Sequence, residues 1–592
     1  KSKKEMEVTR LFDVLHYQKE KHPQQVAIAS IKNGEWWKAS TDELITLSNN
    51  LSLGLLKLGI QKGDKVAVVT SANRTEWNIC DQGIGQIGAI NVPLYPTIST
   101  KDYEYILNHS EARICIVSDA KLYEKVKNLK ATVPGLIDIY TFDEIEGAKN
   151  YEEIIKLGEG GDVAQIKAIS DTITPDSLAT LIYTSGTTGT PKGVMLSHSN
   201  IMSNVVTVRA ELPVEAGHVS LSFLPLCHIF ERMVIYTYQY AGVNVYYSDI
   251  DTLKDKLGTV RPHFFTTVPR LLEKVYEGIV NKGLALTGIK KKLFFWALEM
   301  ADQYDYDQKP SFMFKIADKL IFSKWREGLG GRIMGIVTGS AACPLKMARV
   351  FSAAGIPIRE GYGLTETSPV ITFNRFAEGG AMLGTVGMPI KDVEVKIAED
   401  GEILAKGPNI MMGYYKEPEK TLEVLTEDGW FSTGDVGTFV TNHAGNKFLK
   451  ITDRKKELLK TSGGKYVAPA PIESMFRENF FVEQIMVVGE SKKFVSALIV
   501  PTFPTLEQWA TEHGVTFKDR ADLVVNPKVI AKFQSIVDET NPNFSHIEQI
   551  KKFKLLTSEW TPETSELTPT MKLKRKVINE KYSKEIDAIY ND

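Results

Sequence analysis

The sequence is poor in cysteine and has almost no net charge. Of 592 residues only four are cysteines, too few and too scattered for a disulfide framework or a zinc site: Cys80, Cys115, Cys227 and Cys343. Lysine and arginine number 71 against 73 aspartate and glutamate, a net charge of -2. This balance gives no general basis for binding nucleic acid.

Long apolar runs are also missing. No stretch approaches the roughly 18 uninterrupted apolar residues of a membrane-spanning helix. The charged start, residues 1–5, lacks the apolar centre of a signal peptide. With so little cysteine and no visible targeting segment, we expect a cytoplasmic protein. Its length and its 43% hydrophobic content predict large buried cores and more than one domain.

One segment, residues 183–193, is dense in glycine and hydroxyl side chains. It follows the apolar run 178–182, a pattern typical of a strand that leads into a phosphate-binding loop. Glycines let backbone N–H groups turn toward a polyanion, while hydroxyls and a lysine add donors and charge. Because Pro191 precedes the lysine and Gly193 follows it, the pattern of an ordinary P-loop ATPase is absent. The candidate ATP-binding residues are Thr184, Ser185, Gly186, Thr187, Thr188, Gly189 and Lys192.

Five further segments follow in a fixed order, and together with the first loop they resemble the motifs of the adenylate-forming superfamily. This superfamily includes acyl-CoA ligases, luciferases and peptide-synthetase adenylation domains. The resemblance covers nearly the whole chain and extends to bacterial AMP-forming long-chain fatty acyl-CoA ligases. The five segments are residues 224–232, 361–368, 432–435, 453–464 and 567–575.

The segment Gly-Tyr-Gly-Leu-Thr-Glu-Thr-Ser resembles the family's second nucleotide motif. The resemblance implies that Tyr362 stacks on adenine, Thr365 contacts phosphate and Glu366 binds Mg²⁺, with Thr184 as a second magnesium contact. Mg²⁺ takes hard oxygen ligands, usually one or two carboxylates together with phosphate oxygens. The predicted catalytic set therefore contains Glu366 and Thr365. The remaining nucleotide-binding candidates of this segment are Gly361 and Gly363.

The next two segments resemble the family's ribose motif and its domain junction. Asp435 is predicted to bind the ribose, since an ionised carboxylate accepts from two neighbouring hydroxyls. Arg454 is predicted to reach the same sugar, and Lys456 occupies the hinge position. Gly463 and Gly464 are predicted to approach the site during transfer to coenzyme A.

The C-terminal segment resembles the loop that carries the family's catalytic lysine. We assign that role to Lys572. Other members usually show Ser-Gly before this lysine, whereas this chain has Thr570 and Met571, so Lys574 stays open as the alternative.

Short, nearly all-apolar strands alternate with helical segments, which predicts an α/β fold whose sheets are covered on both faces. We expect a large N-terminal domain of stacked α/β sheets at residues 1–452, with a small β-rich subdomain at about 384–452. We further expect a small, mobile α+β C-terminal domain at 453–592, joined through a hinge at 453–458.

Substrate class rests on two segments. His228 lies in a segment that resembles the acyl pocket of long-chain ligases. Residues 282–326 resemble a helical insertion of the same enzymes, with nine basic and five acidic side chains. A patch of this charge could contact the anionic surface of a membrane, although a solvated helical hairpin would have the same composition.

The resemblance implies two half-reactions. A long-chain fatty acid attacks ATP in the presence of Mg²⁺ to give an acyl adenylate and pyrophosphate, and coenzyme A then takes the acyl group. The alternatives are a ligase that passes the acyl group to a carrier protein, a medium-chain or aryl acid CoA ligase, and a lipid-binding protein without catalysis. The sequence does not decide between a monomer and a homodimer.

Overall fold

The computed structural model describes residues 6–184 and 190–591, so five residues of the first predicted loop, 185–189, lie outside it. Within the described residues the chain forms two large sheets, a smaller antiparallel sheet and a separate C-terminal unit. The predicted α/β fold class is confirmed.

The first large sheet is parallel at its centre and antiparallel at both edges. Its central strands Gly335–Thr338 and Phe264–Thr267 are buried along their length, as expected for a sheet covered on both faces. In spatial order the strands are Met388–Pro389, Val370–Phe373, Ile358–Gly363, Gly335–Thr338, Phe264–Thr267, Val219–Ser222, Asn244–Tyr247, Ile28–Lys32 and Glu35–Ala39.

The second large sheet also has buried, parallel central strands, and these strands are rich in β-branched residues. The strand that leads into the predicted phosphate loop pairs antiparallel with the strand that follows the loop. In spatial order the strands are Gly413–Tyr414, Lys192–Ser197, Leu178–Thr184, Ile90–Leu94, Lys65–Val69, Ala112–Val117, Asp138–Thr141 and Lys149–Asn150.

Helices cover these two sheets. The helix after Ser40 spans Thr41–Lys57, and the Ser40 hydroxyl accepts from the backbone N–H of Glu43 at 3.1 Å, which caps it. The other α-helices of this part are Asp13–Lys21, Thr75–Gly85, Thr100–Ser110, Ala120–Val126, Glu152–Gly158, Val163–Ser170, His198–Glu211, Ile229–Ala241, Leu253–Val260, Pro269–Leu284, Gly288–Asp302, Phe312–Ala317, Ser323–Gly328 and Leu345–Ala353.

One helix, Ile229–Ala241, is bonded to both large sheets through two consecutive charged residues. Glu231 accepts hydrogen bonds from the hydroxyls of Ser222 and Thr266 in the first sheet. Arg232 donates to the Thr180 hydroxyl of the second sheet at 2.7 Å. Both side chains are buried, so their hydrogen bonds fix the helix between the sheets.

The antiparallel sheet corresponds to the predicted β-rich subdomain. Its strands are Glu394–Ile397, Glu402–Lys406, Phe431–Thr441 and Lys447–Arg454, with the helix Pro418–Val424 inserted between the second and third. The last strand continues two residues beyond the predicted boundary at 452, so the predicted hinge segment 453–458 begins inside a strand. The position of the boundary stays a prediction.

The C-terminal unit has a hydrophobic core of its own, formed by residues between Leu459 and Ile589. Its strands are Leu459–Lys460, Tyr466–Val467, Val482–Val488, Ser496–Pro501 and Phe553–Leu555. Its α-helices are Pro469–Arg477, Phe503–Glu512, Arg520–Val525, Pro527–Thr540, Arg575–Lys581 and Ser583–Asn591. Across residues 6–184 and 190–591, no helix is both long and apolar enough to cross a membrane.

Candidate active site

A cavity of about 320 Å³ lies where strand ends of both large sheets meet the C-terminal unit. The strands Leu178–Thr184, Ile358–Gly363 and Gly335–Thr338 all direct their carboxyl ends toward it, the edge at which α/β sheets bind ligands. One part of the lining is polar and charged. The other part is apolar and includes Val208, Leu212, Met233, Val234, Phe264, Val337 and Phe373.

The two ends of the predicted phosphate loop lie at this cavity. Thr184 and Lys192 pair in the register of neighbouring antiparallel strands, and both line the cavity. The predicted residues Ser185, Gly186, Thr187, Thr188 and Gly189 lie outside the described residues.

Tyr362, Asp435 and Arg454 form one cluster at the cavity, although they come from three separate motifs. The Tyr362 hydroxyl donates to Oδ2 of Asp435 at 2.5 Å, and Nε of Arg454 lies 3.6 Å from Oδ1. Asp435 and Arg454 also face each other on adjacent strands. Burial raises the pKa of Asp435, whereas the Arg454 charge and the Tyr362 hydrogen bond counteract that rise.

Glu366 occupies a short 3₁₀ turn, Thr365–Thr367, at the edge of the cavity. One of its carboxylate oxygens, Oε1, accepts from the Tyr414 hydroxyl at 2.9 Å, and its backbone carbonyl accepts from the N–H of Met411 at 2.9 Å. No hydrogen bond or ion pair occupies the second carboxylate oxygen within residues 6–184 and 190–591. That oxygen is available to a ligand.

These residues fit a magnesium ion that is bound together with phosphate. Glu366 and Thr184 provide a carboxylate and a hydroxyl at the same cavity, and both are hard oxygen donors. The described chain contains no cluster of three or more His, Cys, Asp or Glu side chains that could hold a metal alone. A single carboxylate suits Mg²⁺, which usually takes its remaining ligands from phosphate and water.

Lys572 lines the cavity, and its loop is fixed by reciprocal hydrogen bonds to Thr568. The N–H of Lys572 donates to the Thr568 hydroxyl at 3.0 Å, and the N–H of Thr568 donates to the Lys572 carbonyl at 2.8 Å. Burial lowers the pKa of the Lys572 ammonium to about 8, and the neighbouring Arg454 charge acts in the same direction. Lys574 does not line the cavity and precedes the helix Arg575–Lys581.

Met571 stands where other members of the family usually have glycine, and it adopts a backbone conformation typical of glycine. Its backbone has φ of 65°, in the left-handed region that glycine adopts at low cost. Most other residues pay about 1–2 kcal/mol to adopt this conformation. The Met571 side chain is exposed, so the chain tolerates a larger residue here without a clash.

His228 lines the cavity at the amino-terminal end of the helix Ile229–Ala241. Its Nδ1 accepts from the backbone N–H of Phe230 at 3.2 Å, which leaves Nε2 to carry the ring proton. Burial lowers the pKa of His228 to about 4, and the charge of Lys572 adds to this shift. The imidazole is therefore a neutral donor at pH 7.

The predicted hinge and transfer residues lie outside the cavity lining. Lys456 is exposed in the turn after the strand Lys447–Arg454. Burial lowers the pKa of Lys192, and the charge of Lys456 acts in the same direction. Gly463 and Gly464 lie in an exposed turn, closed by a hydrogen bond from the N–H of Gly464 to the carbonyl of Thr461 at 2.9 Å.

Sequence reasoning missed several residues at the cavity. Tyr414 contacts Glu366 and Lys192, and Thr568 holds the lysine loop. Ser340 also lines the cavity, with φ of 70° after a buried apolar strand. The Gly339-Ser340 pair after that strand is the same kind of signal as the first phosphate loop and could have been noticed.

Comparison with known proteins agrees with this architecture. Residues 15–415 match the family model described as AMP-binding enzyme, and residues 456–592 match the model described as AMP-binding enzyme C-terminal domain. The chain is 36% identical to long-chain-fatty-acid–CoA ligase FadD15 of Mycobacterium bovis, over 96% of this chain and 95% of that protein. It is 33% identical to the peroxisomal long chain acyl-CoA synthetase 6 of Arabidopsis thaliana, over 94% of this chain and 82% of that protein.

Among solved structures, the fold is similar to the adenylation domain of a carboxylate reductase from Mycobacterium chelonae. The TM-score is 0.74 at 22% identity, covering 98% of this chain and 91% of that chain. At this identity the likeness supports the fold and nothing finer. With both family models matched in the expected order across most of its length, this chain belongs to the family of AMP-binding enzymes.

Proposed function

We propose that this chain is an ATP-dependent long-chain fatty acid–CoA ligase. It would activate a fatty acid as an acyl adenylate, transfer the acyl group to coenzyme A, and release AMP and pyrophosphate. The observation that carries the proposal is that a single cavity joins charged nucleotide-binding candidates to an apolar lining. The names of the full-length relatives support the same substrate class.

The first half-reaction brings a carboxylate to a triphosphate, so repulsion between anions is its main obstacle. Lys572, Arg454 and Lys192 place three cations around the cavity. We assign Lys572 to the space between the reacting carboxylate and the α-phosphate, where a preorganised charge stabilises the transition state. Asp435 and Tyr362 would hold the ribose and the adenine, and these assignments rest on the family motifs.

Mg²⁺ would neutralise phosphate charge when it is bound with ATP. Glu366 would hold it through the carboxylate oxygen that has no partner in the described chain, and Thr184 would contribute its hydroxyl. The remaining ligands would be phosphate oxygens and water.

The apolar part of the lining suits the hydrocarbon tail of the acid. Because each buried methylene contributes about 0.8 kcal/mol, a long chain gains far more from this lining than a short one. His228 stands beside the polar part, and its neutral imidazole can donate an Nε2 hydrogen bond to an acyl oxygen without adding charge.

The second half-reaction requires a different set of residues. We propose that the C-terminal unit rotates about Lys456, withdraws Lys572, and brings Gly463 and Gly464 to the cavity. The separate hydrophobic core of that unit supports its movement as one body.

We expect medium-chain and long-chain acids to be used far better than acetate, because the apolar lining stabilises each added methylene. AMP and thioester would be measured together over a series from acetate to oleate, with benzoate and an amino acid as controls. A preference for acetate, benzoate or the amino acid would contradict the long-chain assignment. AMP formation without thioester would favour a ligase that uses a carrier protein.

At ATP concentrations well below saturation, where the rate reports the ionisation of the free enzyme, adenylation should slow as the pH rises above about 8. The pKa of Lys572 is lowered to about 8, so its ammonium is lost at a lower pH than that of a free lysine. Pyrophosphate release would be followed from pH 6 to 10 in the wild type and in Lys572→Arg. Arginine stays protonated over this range, so the variant should lack the alkaline decline. The same decline in both proteins would assign it to another group.

Substitution of Lys572 and Lys456 should have opposite effects. Lys572→Ala should lose about 10²-fold to 10³-fold in adenylation and still convert supplied acyl adenylate to thioester. Lys456→Pro should still adenylate but fail in thioester formation, because proline fixes φ in the hinge.

Lys574→Ala is the matched control, since Lys574 lies outside the cavity lining. Loss of adenylation in Lys574→Ala but not in Lys572→Ala would move the catalytic role to Lys574. Equal damage to both half-reactions by Lys572→Ala and Lys456→Pro would contradict domain rotation.

We further propose that residues 282–326 contact an anionic membrane surface from which fatty acid is drawn. Ile289 and Phe312, on the helices Gly288–Asp302 and Phe312–Ala317, are 76% and 77% exposed. Exposed lysines lie on the same segment, namely Lys290, Lys292, Lys315, Lys319 and Lys324. Large apolar side chains among cations are typical of surfaces that insert between acidic lipid headgroups.

The wild type should sediment with vesicles that contain phosphatidylglycerol, and less with pure phosphatidylcholine or at high salt. The double variant Ile289→Ser/Phe312→Ser should lose most of this binding. Leu422→Ser is the matched control, because Leu422 is 73% exposed on a different helix, Pro418–Val424. Equal binding by all three proteins would exclude this face as the membrane contact.

A further inference from the structure

Tyr414 contacts two of the charged groups at the cavity and is not part of any motif recognised in the sequence. It lies on the short edge strand Gly413–Tyr414, which pairs antiparallel with the strand after the phosphate loop. The side chain is only 4% exposed. Its hydroxyl donates to Oε1 of Glu366 at 2.9 Å.

The ring of Tyr414 makes the second contact. Nζ of Lys192 lies 4.4 Å from the ring centroid, a distance typical of a cation–π interaction. Within residues 6–184 and 190–591, this ammonium has no hydrogen bond or ion pair to a carboxylate. The aromatic face is therefore the main group of the described chain that orients Lys192.

Tyr414 is itself held firmly. Its N–H donates to the Thr421 hydroxyl at 2.9 Å, and its carbonyl accepts from the N–H of Glu417 at 3.1 Å. Three residues earlier, the N–H of Met411 donates to the Glu366 carbonyl. The segment 411–414 thus contacts both the backbone and the side chain of Glu366, through the N–H of Met411 and the hydroxyl of Tyr414.

The direction of the hydroxyl bond is fixed by charge. An ionised carboxylate can only accept a hydrogen bond, so the phenol of Tyr414 is the donor to Glu366. A bond to Oε1 leaves Oε2 of Glu366 without a partner among the described residues. This is the arrangement expected when one carboxylate oxygen is held by protein and the other is left for a cation.

We propose that Tyr414 is a positioning residue with two separable roles in ATP binding. Its hydroxyl orients the Glu366 carboxylate toward Mg²⁺, and its ring orients the Lys192 ammonium toward the phosphates. The proposal rests on the proposed ligase function, because it assigns Glu366 and Lys192 to Mg²⁺ and ATP.

Two substitutions separate these roles. Tyr414→Phe keeps the ring and removes the hydroxyl, so the Mg²⁺ concentration needed for half-maximal ATP binding should rise about threefold to tenfold. ATP binding in EDTA, without Mg²⁺, should not change. Tyr414→Leu removes the ring as well and should also weaken ATP binding in EDTA by about threefold. Isothermal titration with ATP, in EDTA and over a Mg²⁺ series, measures both effects without turnover.

The neighbouring Tyr415→Phe is the matched control. Its hydroxyl donates to Glu111 at 2.9 Å and does not contact Glu366, so its Mg²⁺ requirement should equal that of the wild type. A second test uses Glu366→Gln, in which the extra change Tyr414→Phe should no longer alter the Mg²⁺ requirement. The double variant tests whether the effect of the Tyr414 hydroxyl on Mg²⁺ depends on the Glu366 carboxylate.

The outcomes are distinct. Equal Mg²⁺ requirements for Tyr414→Phe and Tyr415→Phe would overturn the role of the hydroxyl. Equal ATP binding in EDTA by Tyr414→Leu and Tyr414→Phe would overturn the role of the ring. A fall in melting temperature with unchanged ATP titrations would make Tyr414 a purely structural residue. Failure of the wild type itself to bind ATP would contradict the proposed function instead.

Discussion

The Asp435 carboxylate is the group on which the arrangement of the cavity depends. It accepts from Tyr362 of the first large sheet and lies beside Arg454, the last residue of the smaller antiparallel sheet. The charge of Asp435 also acts on Lys572, which the C-terminal unit contributes. One buried anion thus links three parts of the chain, and removing it would leave neighbouring cations uncompensated in a poorly solvated space.

The balance of charge around the cavity is suited to a polyanionic ligand. Three cations, Lys192, Arg454 and Lys572, line it together with the carboxylate of Glu366, and the Asp435 carboxylate contacts Arg454 and Tyr362. Burial lowers the pKa of both Lys192 and Lys572, which means that their charged forms are costly without a ligand. Binding of a triphosphate would offset the free-energy cost of burying these two charged lysines, so their charged forms are more stable when the cavity is occupied.

Local sequence patterns predicted the α/β class, whereas Tyr362, Asp435 and Lys572 were identified because each stands in a short segment that resembles a family motif. Tyr414 could not be found in this way. Its contacts arise from pairing between distant strands, and no local pattern encodes that register. Because Met571 replaces the usual glycine, the sequence left Lys574 open as the catalytic lysine. In the structure the Met571 backbone adopts the left-handed conformation that glycine adopts at low cost. Methionine in place of glycine therefore raises the conformational free energy of the turn but keeps its backbone conformation.

The contact between the large part of the chain and the C-terminal unit is mixed, with the rings of Tyr276 and Phe480 6.1 Å apart beside a group of ion pairs. Arg270 and Lys274 bind Glu483 of the C-terminal unit at 2.6 and 2.9 Å. These side chains are partly exposed, and ion pairs of this kind contribute about 1 kcal/mol or less. Water replaces such partners readily when the surfaces separate. A unit with its own core, held in part by ion pairs of this strength, supports the proposed rotation between two half-reactions.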